Sequence, residues 1–561
     1  MNRKPVISYL LLLIIAISTP AITQAHTGGA RQKAPGEYEP APPSLNTSYS
    51  EPEEFCPENE RWKDWRKPQV VKGIRIEEDQ SCRPDNPKTV AAVTMGTNNM
   101  PKMWQMKTGL DREAVQKCCD KDDDGDPDVI NITLEVSEIN GKEPPETGPN
   151  QSLTASQHIA PGVNPGMWAF TPKSTGMATE GGPASNVVRF PSPAIRVEKT
   201  DTIHITLENT HYMPHTIHFH GVDHPFSHNG DGNDGVPQTS EKPISPGNER
   251  TYTFTPKTTG TNFYHCHVQP KAHVLMGLQG MFIVEEEREN NTLQTLNIGN
   301  GKVRHPSKSS QNQYDSEYDL QYQGIDKELH SIINLSNDPR IVSKAMNRGY
   351  DVTEREPDYF VLNGKSFPYT IRESMIIAKP NESIKLRLLN GGAEDIALHT
   401  HGHKGTITHY DGVEAPTGSQ IQRDVYDVSA AQRLDILLNT TNDGLNSYGK
   451  GVWFMHNHKE EGVTTDGIGP GGDITTITYE QYLKDNGFPQ TQGVSWKPYF
   501  TEEYYDRQIP VWQEYSNDDR FRAVQPRPTG YQTIAWYVLI GLLSGIAMAG
   551  IIFWVKERYE T

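Results

Sequence analysis

Alternation of apolar and polar residues recurs along the chain and predicts β-strands rather than helices. The segment 129–136 alternates as Val-Ile-Asn-Ile-Thr-Leu-Glu-Val, residues 186–207 continue the pattern, and 281–284 form a short apolar run. Successive side chains of a strand point to opposite faces, so such runs suit sheets with one buried face. With 47 Gly and 41 Pro to supply turns, the pattern predicts an all-β chain of β-sandwich architecture.

Changes in composition predict how the 561 residues are divided. Residues 144–185 are rich in Gly, Pro and Ser and lack apolar periodicity, so they are expected to form a surface insertion. The predicted segments are 1–25, a signal peptide; 26–127, a Pro-rich lead-in and disulfide-held extension; 128–290, the first sandwich domain; 291–355, a linker and insertion; 356–480, the second sandwich domain; 481–533, a linker; and 534–555, a transmembrane helix.

Both ends of the chain carry apolar runs with targeting signatures. Arg3 and Lys4 precede an apolar core, and residues 23–25 form a small-residue pattern typical of signal cleavage. Residues 534–555 are long enough to span a bilayer, and basic residues follow them. We therefore expect an exported, membrane-anchored protein with its body on the extracytoplasmic side and a short cytoplasmic C-terminal tail.

Four of the five cysteines precede the first predicted domain, namely Cys56, Cys82, Cys118 and Cys119. In an exported chain they predict two disulfides, in which Cys118 and Cys119 pair with Cys56 and Cys82 in either order. A four-thiolate zinc site is the alternative, although no Cys-x-x-Cys spacing occurs. The formal net charge of −18 argues against nucleic acid as a partner.

The chemistry is concentrated in His265-Cys266-His267, which His273 follows closely. In an extended strand His265 and His267 point to one face and Cys266 points to the other. A thiolate with nearby imidazoles suits copper, and the two histidines on the reverse face suit a second site. One strand therefore joins two predicted copper centres through its own covalent bonds.

An upstream stretch, His215-Thr-Ile-His218-Phe-His220, divides in the same way. His218 and His220 share a face, and His215, three residues before His218, lies on the opposite face. His215, Cys266 and His273 thus form a set of two imidazoles and one thiolate, which is the pattern of a blue-copper site.

Two further His-x-His pairs lie downstream, and they comprise His399 with His401 and His456 with His458. Ile396 and Asn457 stand where the first half has His215 and Cys266, so the second half supplies imidazoles only. Four pairs give eight imidazoles, enough for a three-copper cluster shared by two domains. A lone His-x-His is usually a solvated strand, but four pairs with a His-Cys-His disfavour that interpretation.

The four motifs resemble those of multicopper oxidases, the family of laccases and small two-domain laccases. Residues 234–237 (Asp-Gly-Val-Pro) and 244–247 (Ile-Ser-Pro-Gly) resemble the family's first domain, and residues 360–368 resemble the opening of a later one. The resemblance covers about residues 185–480. It implies two cupredoxin-like β-sandwich domains and a copper-dependent oxidoreductase. Such an enzyme oxidises a donor one electron at a time at a type 1 copper and reduces O2 to water, with four electrons, at a trinuclear cluster.

By the same resemblance, four copper ions bind per functional unit. The type 1 copper is held by His215, Cys266 and His273, and the type 2 copper by His218 and His399. The coupled type 3 pair is held by His220, His265, His267, His401, His456 and His458. Electrons pass from Cys266 into its chain neighbours His265 and His267, and His403 supports the ligands without binding metal.

The resemblance also implies which residues complete the type 1 site and how the subunits assemble. His215 and His273 are expected to present ring edges to the surface. Leu278 is expected at the axial position, where a non-coordinating side chain raises the reduction potential, with Met276 packed nearby. Coordination by Met276 is the alternative, and it would lower the potential. Because the cluster ligands are split between two domains, two-domain relatives imply a cyclic homotrimer.

An acidic stretch, Asp120-Lys-Asp122-Asp-Asp124-Gly125, has the spacing of the first half of a calcium loop. The twelfth position is Asn131 instead of the bidentate Glu. The sequence therefore leaves two interpretations open, a calcium site that uses these three aspartates and a solvated acidic turn.

Two other functions stay open beside the oxidase. The first is a copper nitrite reductase or another oxidoreductase acting on a nitrogen compound. That class has Asp where His218 stands and lacks a second His beside the Cys, so the extra imidazoles favour O2 chemistry. The second is a copper-binding or electron-carrier protein without turnover, which needs one blue-copper site only. The electron donor, whether a small molecule, a metal ion or a redox protein, is not specified.

Overall fold

The computed structural model describes residues 69–71, 74–76, 109–111, 113–141, 157–175, 188–223, 232–291, 293–336, 338–484, 487–491, 495–507 and a few positions between 537 and 550. The chain divides into two compact units, Met1–Tyr505 and Asp506–Thr561. In the second unit the described residues between 537 and 550 are helical.

Within the described part of the chain, no helix combines the length and apolarity that a membrane span requires. The predicted signal peptide and most of the predicted transmembrane helix at 534–555 lie outside the described residues. Cys56 and Cys82 also lie outside the described residues, and each predicted disulfide involves one of them. Cys118 and Cys119 are described and exposed.

Strands dominate the first unit, which confirms the predicted predominance of β-structure. They are β1 Gln69–Val71, β2 Ile74–Ile76, β3 Gly109–Leu110, β4 Val115–Cys118, β5 Val129–Ile139, β6 Met167–Pro172, β7 Ser174–Thr175, β8 Ala194–Glu198, β9 Thr202–Glu208, β10 His218–Phe219, β11 Glu249–Phe254, β12 Gly260–His265, β13 Gln279–Glu285, β14 Leu296–Asn297, β15 Gly301–Lys302, β16 Ser316–Ile325, β17 Tyr359–Leu362, β18 Ile376–Ala378, β19 Ser383–Asn390, β20 Ile396–Thr400, β21 Gly405–Tyr410, β22 Val413–Glu414, β23 Ile421–Arg423, β24 Val425–Val428, β25 Arg433–Asn439, β26 Val452–Asn457 and β27 Thr475–Tyr479.

The helical segments are short. The α-helices are α1 Pro270–His273, α2 Lys308–Gln311, α3 Lys327–Ser331, α4 Pro339–Lys344, α5 Thr370–Glu373 and α6 Glu502–Tyr505. Single 3₁₀ turns lie at Ile332–Asn334, Val352–Glu354, Thr417–Ser419, Glu460–Val463, Glu480–Tyr482 and Lys497–Phe500, and a π turn at Ala345–Gly349. Asp326 and Asp338 cap α3 and α4, since each side chain accepts a backbone N–H of the first turn.

The first sandwich consists of two five-stranded sheets. One has the order β10-β12-β13-β8-β14, and the other has the order β11-β9-β5-β4 with β6 paired to β5. In β5 the apolar members of the alternating sequence are buried and the polar members are less so, as the pattern predicts. The buried residues pack into one hydrophobic cluster that also contains Trp168, Phe219, Tyr264 and Cys266.

The second sandwich pairs an eight-stranded sheet with a five-stranded one. The larger has the order β15-β16-β19-β25-β21-β22, with β17 on β16 and β23 on β21, and the smaller has the order β18-β27-β26-β20-β24. Its core is a separate cluster that includes Leu386, Leu398, Ile436 and Tyr479. Two sandwich domains, each with its own core, are therefore present as predicted.

Three predicted segment boundaries differ from the structure. The predicted linker at 291–355 contains β16, which pairs in parallel with β19 inside the second sandwich. The predicted extension ending at 127 contains β4, which pairs with β5 in the first sandwich. The predicted surface insertion at 144–185 contains β6, whose six residues are all buried. Each strand is stabilised by pairing with distant residues, which local composition does not reveal.

The two sandwiches meet at a buried ion network centred on Arg387 of β19. Its guanidinium donates to Glu285 Oε1 (2.5 Å), Asp435 Oδ2 (2.8 Å) and Thr261 Oγ1 (2.9 Å), and also to Glu317. Glu285 and Thr261 belong to the first sandwich and the other partners to the second. Burial alone would raise the pKa of Glu317, but the guanidinium of Arg387 holds that pKa below its ordinary value.

A second arginine, Arg196 of β8, continues the network. It is fully buried and makes a two-pronged contact with Asp319 of β16, one bond being 2.6 Å from Nη1 to Oδ2. Asn297 Nδ2 donates to the same carboxylate at 2.7 Å. The domain interface is thus held by charged groups whose partners come from the other sandwich.

Replacing Arg387 by Met should destabilise the protein strongly. The change leaves three buried carboxylates without their shared cation, for which the cost is about 3–5 kcal/mol of unfolding free energy. Urea unfolding followed by tryptophan fluorescence measures it. Arg423→Met is the matched control, because Arg423 is exposed. Equal unfolding midpoints for the two variants would contradict a stabilising role for the network.

Candidate metal centres

The first candidate centre brings together His215, Cys266 and His273. His215 forms an isolated bridge to Ile244, Cys266 directly follows β12, and His273 ends α1. Cys266 Sγ lies 3.5 Å from His273 Nδ1 and 3.7 Å from His215 Nδ1. All three side chains are buried, so the predicted thiolate-and-imidazole set is assembled in the core of the first sandwich.

The electrostatics of this set suit a bound cation. Burial lowers the pKa of His215 and lowers that of His273 to about 3, so both imidazoles are neutral and can donate a lone pair. Burial also raises the pKa of the Cys266 thiol to about 12. A thiolate is therefore disfavoured here unless a metal ion compensates its charge, and soft sulfur with imidazole nitrogen is a donor set for copper.

The prediction that His215 and His273 present ring edges to the surface is wrong, since they are 0% and 1% exposed. Trp168 of β6 covers them, with ring centroids 5.9 Å from His215 and 5.2 Å from His273. His211 adds a hydrogen bond, with its Nδ1 2.9 Å from His215 Nε2. The physical reason is the pairing of β6 with β5, which carries Trp168 across the site.

Sequence reasoning missed His211 and Trp168. Both are linked to Glu138, because Trp168 Nε1 donates to Glu138 Oε2 at 3.1 Å and His211 Nε2 lies 3.7 Å from the same oxygen. Tyr212 donates its hydroxyl to that oxygen at 2.7 Å. The only local signal was the position of His211, four residues before His215. His211, Trp168, Tyr212 and Glu138 thus form a polar chain. It leads from the buried imidazole of His215 to Glu138, which is partly exposed.

The second candidate centre starts with four imidazoles of the first sandwich, which are His218, His220, His265 and His267. His218 and His265 are partners in the pairing of β10 with β12. The Nε2 atoms of His220 and His265 face each other at 3.1 Å. His218 Nδ1 lies 2.6 Å from Asp234 O, and His265 Nδ1 lies 3.0 Å from Cys266 O. Nδ1–H donation to these carbonyls directs the Nε2 lone pairs of His218 and His265 into one space.

The second sandwich repeats this arrangement with His399, His401, His456 and His458. His399 pairs with His456 between β20 and β26. The Nε2 atoms of His401 and His456 are 3.1 Å apart, as in the first set. His399 Nδ1 lies 2.8 Å from Asp424 O, and His456 Nδ1 lies 2.9 Å from Asn457 O. The two sets therefore match contact by contact.

The two sets form separate groups within the chain, because the ring contacts among these eight residues join members of the same set. Each set is partly open to solvent, and His458 has a side chain 55% exposed. A cavity of ≈ 170 Å³ beside the second set is lined by residues that include His399, His401 and His403. Four imidazoles with open space beside them are able to share metal ions with further ligands.

Residues beside the ligands have defined partners. His403 is buried, with its Nδ1 3.0 Å from His401 O and its Nε2 3.0 Å from the Tyr479 hydroxyl. These contacts fix the position of the backbone next to His401. Asn457, at the position equivalent to Cys266, is also buried, and its side-chain oxygen accepts from Ala397 N at 3.1 Å. The second sandwich thus replaces a thiolate with a neutral amide that holds the backbone.

Leu278 and Met276 are both fully buried in the hydrophobic cluster that contains Cys266. Leu278 O accepts the backbone N–H of Cys266 at 3.0 Å, and Met276 O accepts that of Trp168 at 2.8 Å. Both residues therefore fix the backbone around the thiolate set, and the identity of the axial neighbour stays a prediction.

The acidic loop between β4 and β5 carries the three predicted calcium ligands in two overlapping groups, one of which joins Asp120 and Asp122 with Asp128. Asp120 accepts the backbone N–H groups of Asp124 (3.1 Å) and Gly125 (3.0 Å), so it caps the loop. Asp122 and Asp124 lie with Glu287, a residue that the sequence analysis did not identify. The loop is thus turned towards the segment that follows β13.

Models of multicopper oxidase domains match residues 184–289 and 336–469, which contain the thiolate site and both imidazole sets. Both matched segments are therefore similar to multicopper oxidase domains. The chain is 26% identical over 342 residues to Laccase-2 of Thanatephorus cucumeris, a match that covers 58% of this chain and 48% of that protein. It is 24% identical over 323 residues to the iron transport multicopper oxidase FET3 of Saccharomyces cerevisiae, covering 56% and 43%.

Solved structures of multicopper oxidases are also similar to this chain. The multicopper oxidase mgLAC is 23% identical with a TM-score of 0.45, covering 69% of this chain and 91% of that chain. The blue copper oxidase from Nitrosomonas europaea is 25% identical with a TM-score of 0.43, covering 67% and 93%. The chain spans about half the length of the curated relatives that it matches.

Removing the His211 side chain should weaken copper binding at the thiolate site. His211→Phe keeps a ring but removes the hydrogen bond to His215, and loss of such a supporting partner typically costs about 10–100-fold in metal affinity. Copper titration against a competing chelator, followed by the blue absorption, measures the affinity. His211→Gln should restore part of it. His204→Gln is the control, because His204 contacts Thr253 on β11 and not the site.

Wild-type affinity in the His211→Phe variant would contradict the supporting role. A loss in His204→Gln equal to that in His211→Phe would show a general effect on folding instead.

Proposed function

We propose that this protein is an oxidase that couples one-electron oxidation of a donor to the four-electron reduction of O2 to water. The observation that carries the proposal is the match between the two sets of four imidazoles, combined with a thiolate set that shares the His265-Cys266-His267 stretch. When bound, copper supplies the redox chemistry at both centres. The residues supply neutral ligands, fixed orientations and a covalent path between the centres.

The proposed ligand assignment uses four copper ions. His215, Cys266 and His273 hold the type 1 ion, and His218 and His399 hold the type 2 ion. The type 3 pair is held by His220, His265, His267, His401, His456 and His458. Leu278, a side chain without a donor atom, would lie beside the type 1 site, and the lack of a further ligand there would favour the reduced ion. Cys266 is bonded to its chain neighbours, so the electron path to the cluster runs through the backbone of one strand.

A homotrimer is proposed to complete the cluster. The support is that each imidazole set contacts its own members and stays partly exposed, while three shared ions need ligands from both. A head-to-tail ring places the first sandwich of one copy against the second sandwich of the next and closes on itself. Ring closure also removes the exposed imidazoles from solvent.

Electron entry is proposed at the polar chain that covers the type 1 site. Trp168 and His211 separate His215 from solvent, and Glu138 and Tyr212 form the partly exposed end of that chain. The donor would dock there and transfer its electron across Trp168 and His211 to the type 1 site. Export and anchoring by residues 1–25 and 534–555 are proposed as well, and membrane fractionation with protease protection of the intact protein tests both.

Copper content and O2 uptake test the proposed reaction. The purified protein should hold four copper ions per chain and consume O2 in the presence of a reduced donor without releasing peroxide. His399→Ala should lose copper from the cluster and stop O2 uptake while it keeps the blue absorption of the type 1 ion. His204→Gln, outside both centres, should behave as the wild type.

Two copper ions per chain, no O2 uptake and turnover of nitrite would overturn the oxidase proposal in favour of a nitrite reductase. Retention of O2 uptake by His399→Ala would overturn the assignment of the second set.

Oligomeric state tests the proposed ring. Light scattering after size exclusion should give three times the monomer mass, and dilution to the monomer should abolish O2 uptake while the type 1 absorption persists, because that site lies within one sandwich. A monomer that reduces O2 at the full rate would contradict a cluster shared between copies.

A further inference from the structure

Carboxylates from three separate segments converge beside the loop between β4 and β5. Ligand oxygens of Asp122, Asp124 and Glu287 all lie within 4.8 Å of one another, and so do those of Asp126, Glu198 and Glu287. We propose that these groups form a structural site for a divalent cation of the calcium class, distinct from the copper centres. The ion would tie the loop to β8 and to the segment after β13.

The inner part of this cluster encloses a cavity. Asp126, Glu198 and Asp201 line it and are 3%, 3% and 2% exposed. Its volume is ≈ 10 Å³, which holds about one water-sized sphere or a bare ion. Asp201 Oδ2 accepts the backbone N–H of Glu198 at 2.9 Å, but Asp201 Oδ1 has no hydrogen-bond donor among the described residues. A buried carboxylate oxygen without a donor, on a residue that lines a one-ion cavity, is the observation that separates this cluster from a solvated acidic turn.

The cations near the cavity do not balance these carboxylates. Arg196 lines the cavity, but its guanidinium is bonded to Asp319 and contacts Glu317 in the domain interface. Lys117 also lines it and donates its Nζ to Leu293 O at 3.2 Å. Among the described residues that line the cavity, one lysine therefore stands against three carboxylates, and two unit charges from a metal ion would restore the balance.

The pKa values of these carboxyl groups are consistent with the missing positive charge. Burial raises the pKa of Glu198 to about 10 and that of Asp201 to about 8, and it raises the pKa of Glu287 as well. Ionised carboxylates are thus costly at this position without a counter-ion.

The donor chemistry points to calcium rather than copper or zinc. All the side chains are carboxylates, and hard oxygen donors without imidazole or thiolate suit calcium or magnesium. Calcium accepts the larger and less regular number of oxygens that the cluster offers. Gly125 has φ +97° and a Cβ there would lie 2.5 Å from Asn290 Oδ1, so the loop turns sharply where calcium loops place Gly.

The location suggests what the ion stabilises. Glu198 is the register partner of Glu285 in the pairing of β8 with β13, and Glu285 binds Arg387 across the domain interface. Asn291 links the parts, since its N–H donates to Asp126 Oδ2 at 2.7 Å and its Nδ2 donates to Glu198 Oε1 at 2.6 Å. An ion at this place would fix the segment between β13 and β14 of the first sandwich, next to the strand whose Glu285 reaches the domain interface.

The test uses the full-length, copper-loaded protein exchanged into metal-depleted buffer without chelator. Addition of CaCl2 at about 1 mM, the upper range for extracellular calcium modules, should raise the thermal midpoint by about 2–5 °C. Elemental analysis after desalting should find one calcium per chain, and the blue absorption should not change. Glu287→Gln should lose the calcium-dependent rise, whereas the exposed Glu356→Gln should keep it.

If Glu287→Gln fails to fold, Asp122→Asn provides a second test of the site. Asp122 is exposed, so its replacement should leave the fold intact. It should weaken calcium binding at least tenfold, as measured by competition with terbium luminescence. No rise with CaCl2 in the wild type, or an equal rise in Glu287→Gln or Asp122→Asn, would overturn the site. Equal rises with CaCl2 and NaCl of the same ionic strength would overturn it too, since they indicate charge screening only.

Discussion

The opposite orientation of neighbouring side chains in an extended chain is the constraint on which both metal centres depend. At the end of β12 it directs Cys266 into the core of the first sandwich and His265 with His267 to the outer face. The same alternation separates His215 from His218 on the facing segment. Two centres can therefore share one strand without a change in any other element. Covalent geometry sets the distance between them.

The matched imidazole sets show how the duplicated sandwich was used differently in its two halves. The hydrogen bonds of His399 and His456 to backbone carbonyls repeat those of His218 and His265, so the orientation of the rings is maintained by the sheet itself. Only the inward position differs, where Asn457 binds backbone and Cys266 faces two imidazoles. The Arg387 network joins the two sandwiches of one chain through buried hydrogen bonds, so their contact is part of the fold.

Trp168 and His211 cover the thiolate set and limit which molecules can contact its imidazoles. The imidazoles of His215 and His273 are buried, whereas the polar chain that contacts His215 reaches partial exposure at Glu138. The same burial keeps the histidines neutral and makes an unligated thiolate unfavourable, which couples occupancy of the site to the stability of the first sandwich. A cation at the acidic cluster would act on the other side of that sandwich, near the domain interface.

Several features were predictable from the sequence because they depend on short-range geometry. The strand alternation, the His-Cys-His stretch, the four His-x-His pairs and the absence of a thiolate in the second half follow from residues a few positions apart. Other features required contacts between distant residues. The assignment of β16 and β6 to sheets, the cover of Trp168 and His211 over the thiolate set, and the approach of Glu287 and Glu198 to the acidic loop were decided by tertiary packing. Pairing partners and burial depend on the whole fold, and a local pattern carries no information about which distant side chain completes a site.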